Sequence, residues 1–259
     1  MKRGMTGRQE VFRTGDEEVR AFVPSPLPPD PPVDLGNGRQ RLLERATLAL
    51  GRLDSITLLL PDPDLFLYAY VRREAVLSRR SQNCIGGTRP GNAHFVPPPP
   101  AAVEDCMAAL VARATPSLPQ LYFKQHRPEY YRLLDLVRAE GDWESWMDFF
   151  LEAVAEAATG AVQTAQRLVT LFEHDAAQAR SRGRRAAAAL RVFDVLCARP
   201  VVTLNEACRR AGLTFPTATK GMAALVDMNI ARELTGQRRN RVFAYQRYLS
   251  ILNEGTEPL

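Results

Sequence analysis

No apolar run in this chain approaches the ~20 residues that a helix needs to cross a bilayer, which sets a membrane-spanning role aside. The opening residues, MKRGMTGRQEVFRTGDEEVR, lack the apolar centre of a secretory leader. Cysteine is scarce: four residues, at positions 84, 106, 197 and 208, fit neither a zinc ribbon nor a redox pair. They read as unpaired thiols of a reducing cytoplasm. Histidine is scarcer still, with His94, His126 and His174 far apart in the chain. Each has the neighbours of a surface or packing residue, so neither a metal site nor an imidazole-based catalytic set is expected.

What is present is an ordinary globular composition, with 46% hydrophobic and 24% charged residues over 259 positions. That length accommodates one large domain or two modest ones. The net charge of +5 is unevenly placed. Residues 180–259 hold 14 Lys/Arg against 6 Asp/Glu, whereas residues 1–179 hold 20 against 23. A basic final third on a mildly acidic body points to a polyanion-binding role for that third alone.

Residues 1–38 are polar and then proline-dense (VPSPLPPDPPVDL), the pattern of a disordered arm. From Arg39 the apolar positions Leu42, Leu43, Ala46, Ala49, Leu50 and Leu53 recur at three and four, predicting a helix. A second short helix is expected from Leu65 to Leu77, and another over residues 103–114. Between them lies RRSQNCIGGTRPGNAHFVPPPP (residues 79–100), too rich in Gly and Pro for a helix interior. LYFKQHRPEYYRLLDLVRAEG predicts two helical pieces split near Pro128. Residues 143–180 predict the longest helix, striped by Trp146, Phe149, Phe150, Val154, Ala157, Ala161, Ala165, Leu168 and Phe172. RSRGRR reads as a basic hinge, and no internal repeat is found.

Residues 184–247 predict helix, helix, turn, helix and hairpin. Thr203 is placed to cap the second helix and Gly212 to end it. Thr214 and Pro216 open the third, and two short strands flank a turn over residues 236–240. This order, with the basic tip Arg238-Arg239-Asn240-Arg241, resembles a winged helix-turn-helix domain. The resemblance implies a third helix in the major groove, with Thr214, Thr217, Thr219 and Lys220 facing DNA. It makes Arg238, Arg239 and Arg241 wing contacts to the phosphate backbone. A plain solvated hairpin on a protein-pairing module is the alternative.

Three further stretches, read together, resemble the Fic family, whose members transfer AMP from ATP to protein hydroxyls. LLERATLALGRLDSITLLLPDPDLFLYAYVRREAVLS looks like the family's N-terminal helical segment. Residues 79–100 look like its flap, and PSLPQLYFKQHRPEYYRLLDLVRAEGDWESWMDFFLEAVAE like the helices after the catalytic segment. The resemblance implies a mainly α fold: a Fic-like helical body with a short β-hairpin flap, then the α+β winged module. Its domains would be an arm (1–38), N-terminal helices and flap (39–118), post-catalytic helices (119–180) and winged module (181–259). In the flap, Gly86, Gly87, Pro90, Gly91 and Asn92 would shape the turn. Phe95 and Val96 would offer a strand edge to an extended peptide. The alternative is a surface loop packed by Ile85 and Phe95.

The family's catalytic signature, His-Pro-Phe-x-Asp/Glu-Gly-Asn-Gly-Arg-x-x-Arg, is missing from the chain. Its His takes the acceptor hydroxyl's proton, its acid holds Mg²⁺ and its glycine stretch cradles phosphate. Only residues 101–115 lie between PPPP and PSLPQ, and they contain neither His nor Gly. A GNGR string does occur at positions 36–39, but with the wrong neighbours, and it reads as a turn before a helix. The family's inhibitory motif is also missing after EAVLS, so the chain skips central helices. Apolar faces on LYFKQHRPEYYRLL and on the long helix should then lie exposed.

No catalytic residue, metal ligand or cofactor is therefore expected, although the family uses ATP and Mg²⁺. Three readings remain open at this level. They are a catalytically inactive Fic-like protein that binds DNA, an active protein adenylyltransferase, and a protein-pairing or homodimeric module built on the long helix.

Overall fold

The structure, a computed structural model, describes residues 3–14, 17–36, 38–63, 65–66, 119–181, 183, 186–237 and 239–254. The described residues form eight α-helices, two small antiparallel sheets and little else that is regular. The mainly α class expected from periodicity is the class observed. The expected helices at 65–77 (beyond residue 66) and 103–114 and the flap lie outside the described residues. The chain divides into two compact units, one holding residues 1–51 and 74–159, the other 52–73 and 160–259.

In the first unit, strands β1 (Gly7–Thr14) and β2 (Glu17–Pro24) pair antiparallel, Gly7 opposite Pro24 and Thr14 opposite Glu17. This replaces the disordered arm expected over residues 1–38. GRQEVFRT and EEVRAFVP both carry Val and Phe, residues that favour strands. Helix α1 (Arg39–Thr57) begins where the period-3.6 pattern begins. Helices α2 (Gln120–Gln125), α3 (Arg127–Glu140) and α4 (Trp143–Arg180) follow. Pro128 stands in the first turn of α3, where no intrahelical N–H is lost, so the split falls where the sequence places it.

Gly141 ends α3 with φ +66°. A Cβ there would stand 2.7 Å from Arg3 Cβ and 2.9 Å from the Gly4 carbonyl, so both conformation and space demand glycine. The reason for the crowding is that residues 3–6 cap the helix. A helix leaves its last four carbonyls unpaired. Here Arg3 and Gly4 N–H both donate to Glu140 O (2.8 and 3.0 Å), and Thr6 N–H donates to Arg138 O at 3.1 Å. The Thr6 hydroxyl donates to Val137 O at 2.8 Å.

Arg3 also forks onto Glu144 at 2.6 and 2.7 Å, with both side chains under one-tenth exposed. The Arg3 guanidinium holds the Glu144 carboxyl far below the usual range, against the opposing cost of burial. The aromatic cluster beside this cap corrects the expected exposure of LYFKQHRPEYYRLL. Leu133, Val137, Trp146 and Phe149 are buried, with Tyr122, Phe123 and Tyr130 packed on them. Phe123 stacks on Phe149 at 5.5 Å between centroids.

Along α4 the buried stripe follows the expected spacing, except that Ala158 is buried and Ala157 only half so. Ala161 and Ala165 are no more than 1% exposed, so the alanine stripe is covered within the chain and is no free pairing face.

The second unit takes the later part of α4. To it belong α5 (Ala186–Ala198), β3 (Val201–Thr203), α6 (Leu204–Ala211) and α7 (Phe215–Asp227). Strands β4 (Arg232–Glu233) and β5 (Val242–Ala244) and helix α8 (Gln246–Asn253) complete it. The sheet order is β3-β5-β4, antiparallel throughout, with Val201 opposite Ala244 and Glu233 opposite Phe243. Helix α7 approaches α5 closely at Gly221, where a Cβ would meet the Ala188 carbonyl oxygen at 2.7 Å.

Tyr245 is wholly buried and its hydroxyl donates to the buried Asp175 carboxylate at 2.5 Å. Arg247 donates to both oxygens of that carboxylate at 2.8 Å, which compensates its burial. Burial first, then the Asp175 bond, push the Tyr245 phenol above its ordinary value.

Candidate nucleic-acid interface

The turn between α6 and α7 is built from local chemistry. The Thr203 hydroxyl accepts from Glu206 N–H at 3.1 Å, an N-cap for α6. Gly212 closes α6 in the left-handed region at φ +58°, its N–H turned back to Arg209 O and Cys208 O. The chain re-enters helix at Phe215, with Thr214 extended at the cap and Pro216 in the first turn. The Thr203 cap, the Gly212 end and the opening of α7 at Thr214 and Pro216 are those read from the sequence.

Helix α7 buries Ala218, Gly221, Met222, Ala224 and Leu225. The opposite side carries Thr214, Phe215, Pro216, Thr217 and Lys220, all exposed, with Thr219 half-buried. The four α7 residues expected to meet DNA therefore cluster at its N-terminal half. Thr214 and Thr217 hydroxyls bond each other at 2.8 Å, and the Thr219 hydroxyl donates to Phe215 O at 2.7 Å. Phe215 was not among the expected contacts. Its spacing of three, seven and ten from Ala218, Met222 and Leu225 puts it on the apolar stripe, so the sequence gives no signal of its exposure.

Between β4 and β5 the Glu233 carboxylate gathers Thr235 N–H at 3.1 Å, Gly236 N–H at 3.0 Å and the Thr235 hydroxyl. These bonds, the hydroxyl's first, lower its pKa. Gly236 and Asn240 take positive φ, 63° and 54°, which reverses the chain. Arg239 is exposed at the tip, and Arg238 lies outside the described residues. Arg241 sits nearer the base, half-buried, its guanidinium 4.9 Å from the Phe243 ring centroid. A hollow of about 110 Å³ lies between α7 and this base, lined by Met222, Ala223, Val226, Arg241 and Phe243 among others.

The expected flap residues Gly86, Gly87, Pro90, Gly91, Asn92, Phe95 and Val96 all lie outside the described residues. His126 is exposed, stacked on Tyr122 at 4.1 Å with its Nδ1 3.0 Å from Tyr122 O. His174 is exposed on α4. In the GNGR string Gly36 and Gly38 lie in turns before α1, and Asn37 lies outside the described residues. Gly36 N–H is taken by the Asp34 carboxylate at 2.8 Å, and Arg39 is forked onto Asp148 at 2.6 and 2.9 Å. A donor already held by a carboxylate and an arginine already paired make no cradle for phosphate. Among the described residues no three of His, Cys, Asp and Glu gather as a metal site.

Residues 40–84 match the family model described as Fic/DOC family N-terminal. The match supports membership of the Fic family. It covers nearly all of α1 and the stretch after it, the first of the three stretches that carried the resemblance, and ends at Cys84 inside the stretch read as the flap. No curated protein matches the chain. Among the described residues no helix is long and apolar enough to cross a membrane.

Proposed function

We propose that this chain is a Fic-family protein that has lost AMP transfer and uses a C-terminal winged helix to bind duplex DNA. The observation that carries the DNA half is the order helix, strand, two helices, two strands in a unit with an exposed α7 face and a basic turn between β4 and β5. The charge of residues 180–259, 14 basic against 6 acidic, complements a polyanion. The missing signature and the occupied GNGR turn support the loss of activity. Lys220 reaches toward the groove in this reading, and Arg238, Arg239 and Arg241 hold the backbone.

A gel-shift series with the full chain and duplex DNA tests the binding. Affinity is expected to fall steeply as salt rises, because each neutralised phosphate releases counterions. Arg239→Ala should weaken binding to all sequences alike and flatten the log–log salt slope by about 1. Failure to shift any duplex at low salt would remove the DNA reading.

A further inference from the structure

From Leu213 to Val226 the chain has one charged residue, Lys220, and no Asn, Gln or Arg. Those absent side chains are the ones that read guanine and adenine edges through paired hydrogen bonds. The threonines contribute little in their place. Thr219 spends its proton on Phe215 O, and one of the Thr214 and Thr217 hydroxyls donates to the other. What the three have left to offer is one O–H donor, acceptor lone pairs and their methyl groups.

Beside them Phe215 stands 51% exposed, a large apolar surface that the fold itself leaves open. Further along the helix a hollow of about 110 Å³ is lined by Met222, Ala223, Val226 and Phe243 together with Thr219, Asp227 and Arg241, so apolar and polar groups share it. In the same unit Lys220, Arg232 and Arg239 are exposed. An exposed aromatic in a basic unit suits a ligand with negative rails and an apolar feature between them.

In the major groove of DNA one base edge carries an apolar group, the 5-methyl of thymine, and Phe, Ala and the Thr methyl are its usual partners. We infer that α7 reads thymine methyl groups in the major groove, with Phe215 and Thr217 as the specificity-determining residues. This rests on the DNA-binding reading above and names what that surface selects.

The test uses the full chain and a random-sequence duplex pool. Sites enriched by the wild-type protein are remade with deoxyuridine in place of thymidine, which removes only the methyl. Binding to the uracil duplex is expected to be about tenfold weaker, the effect of exposing two methyl groups. Phe215→Ala should bind both duplexes alike, near the wild-type affinity for uracil. Thr217→Ser, which keeps the hydroxyl bond to Thr214, should lose part of the discrimination. Arg239→Ala should weaken both duplexes by one common factor.

Equal wild-type affinity for thymine and uracil duplexes overturns the inference while leaving DNA binding intact. So does enrichment of sites without thymine, or salt-sensitive binding that enriches no site. No binding to any duplex removes the DNA reading and this inference with it.

Discussion

Arg3 and Glu144 are 141 positions apart and meet at 2.6 Å, nearly sealed from solvent. Removing the guanidinium takes away the two shortest bonds of a buried carboxylate and leaves it the Asp34 N–H at 3.1 Å, so Arg3→Ala should cost about 2–3 kcal/mol in a urea melt at neutral pH. The pH dependence has a definite sign. The folded carboxyl is held below its unfolded value, so its contribution is full above the usual glutamate range and fades as pH falls through it. The gap between wild type and Arg3→Ala should therefore narrow between about pH 5 and about pH 2. A gap that widens on acidification contradicts the assignment. Nothing in the local sequence announces this pair, because Arg3 lies in a polar stretch and its partner stands in the first turn of a helix far along the chain.

At the level of elements, the α6–α7 corner depends on its cap and on one close approach. Thr203→Ala removes the acceptor for Glu206 N–H and should cost about 1 kcal/mol, read as a lowered midpoint. Gly221→Ala gains helix propensity but drives a methyl into the Ala188 carbonyl. The net loss should be about 1–3 kcal/mol in the same melts. A stabilised Gly221→Ala variant would show that the two helices part easily.

The same elements mark what the sequence makes legible. Long α4 and helices α5, α6 and α7 were readable because caps, prolines and period-3.6 stripes lie within a few residues of what they punctuate. Strand β3 and helix α8 were not read, and neither was the β1–β2 hairpin, whose strands lack a clean apolar–polar alternation and stand next to a proline tract. Residues 3–6 order against α3 through main-chain bonds that no side-chain pattern encodes. At the candidate surface, the exposure of Thr214, Thr217 and Lys220 followed from their position in the module. Phe215 was missed because an aromatic in a helix is normally assigned to the core.

For the whole molecule, the Fic likeness and the absent signature set chemistry against architecture. Incubation with labelled ATP and Mg²⁺ is expected to label neither the chain nor added proteins. Robust labelling, lost on His126→Ala or His94→Ala, would restore an active transferase. The charge asymmetry belongs to the same scale: on the proposed reading the basic third, and not the acidic body, would draw the chain to DNA.

The cap that residues 3–6 place on α3 also constrains biogenesis. Those residues leave the ribosome early, yet their acceptors at 137–140 and Glu144 are translated much later. The amino end must stay unattached through most of synthesis. It docks only after the helix it closes has been made.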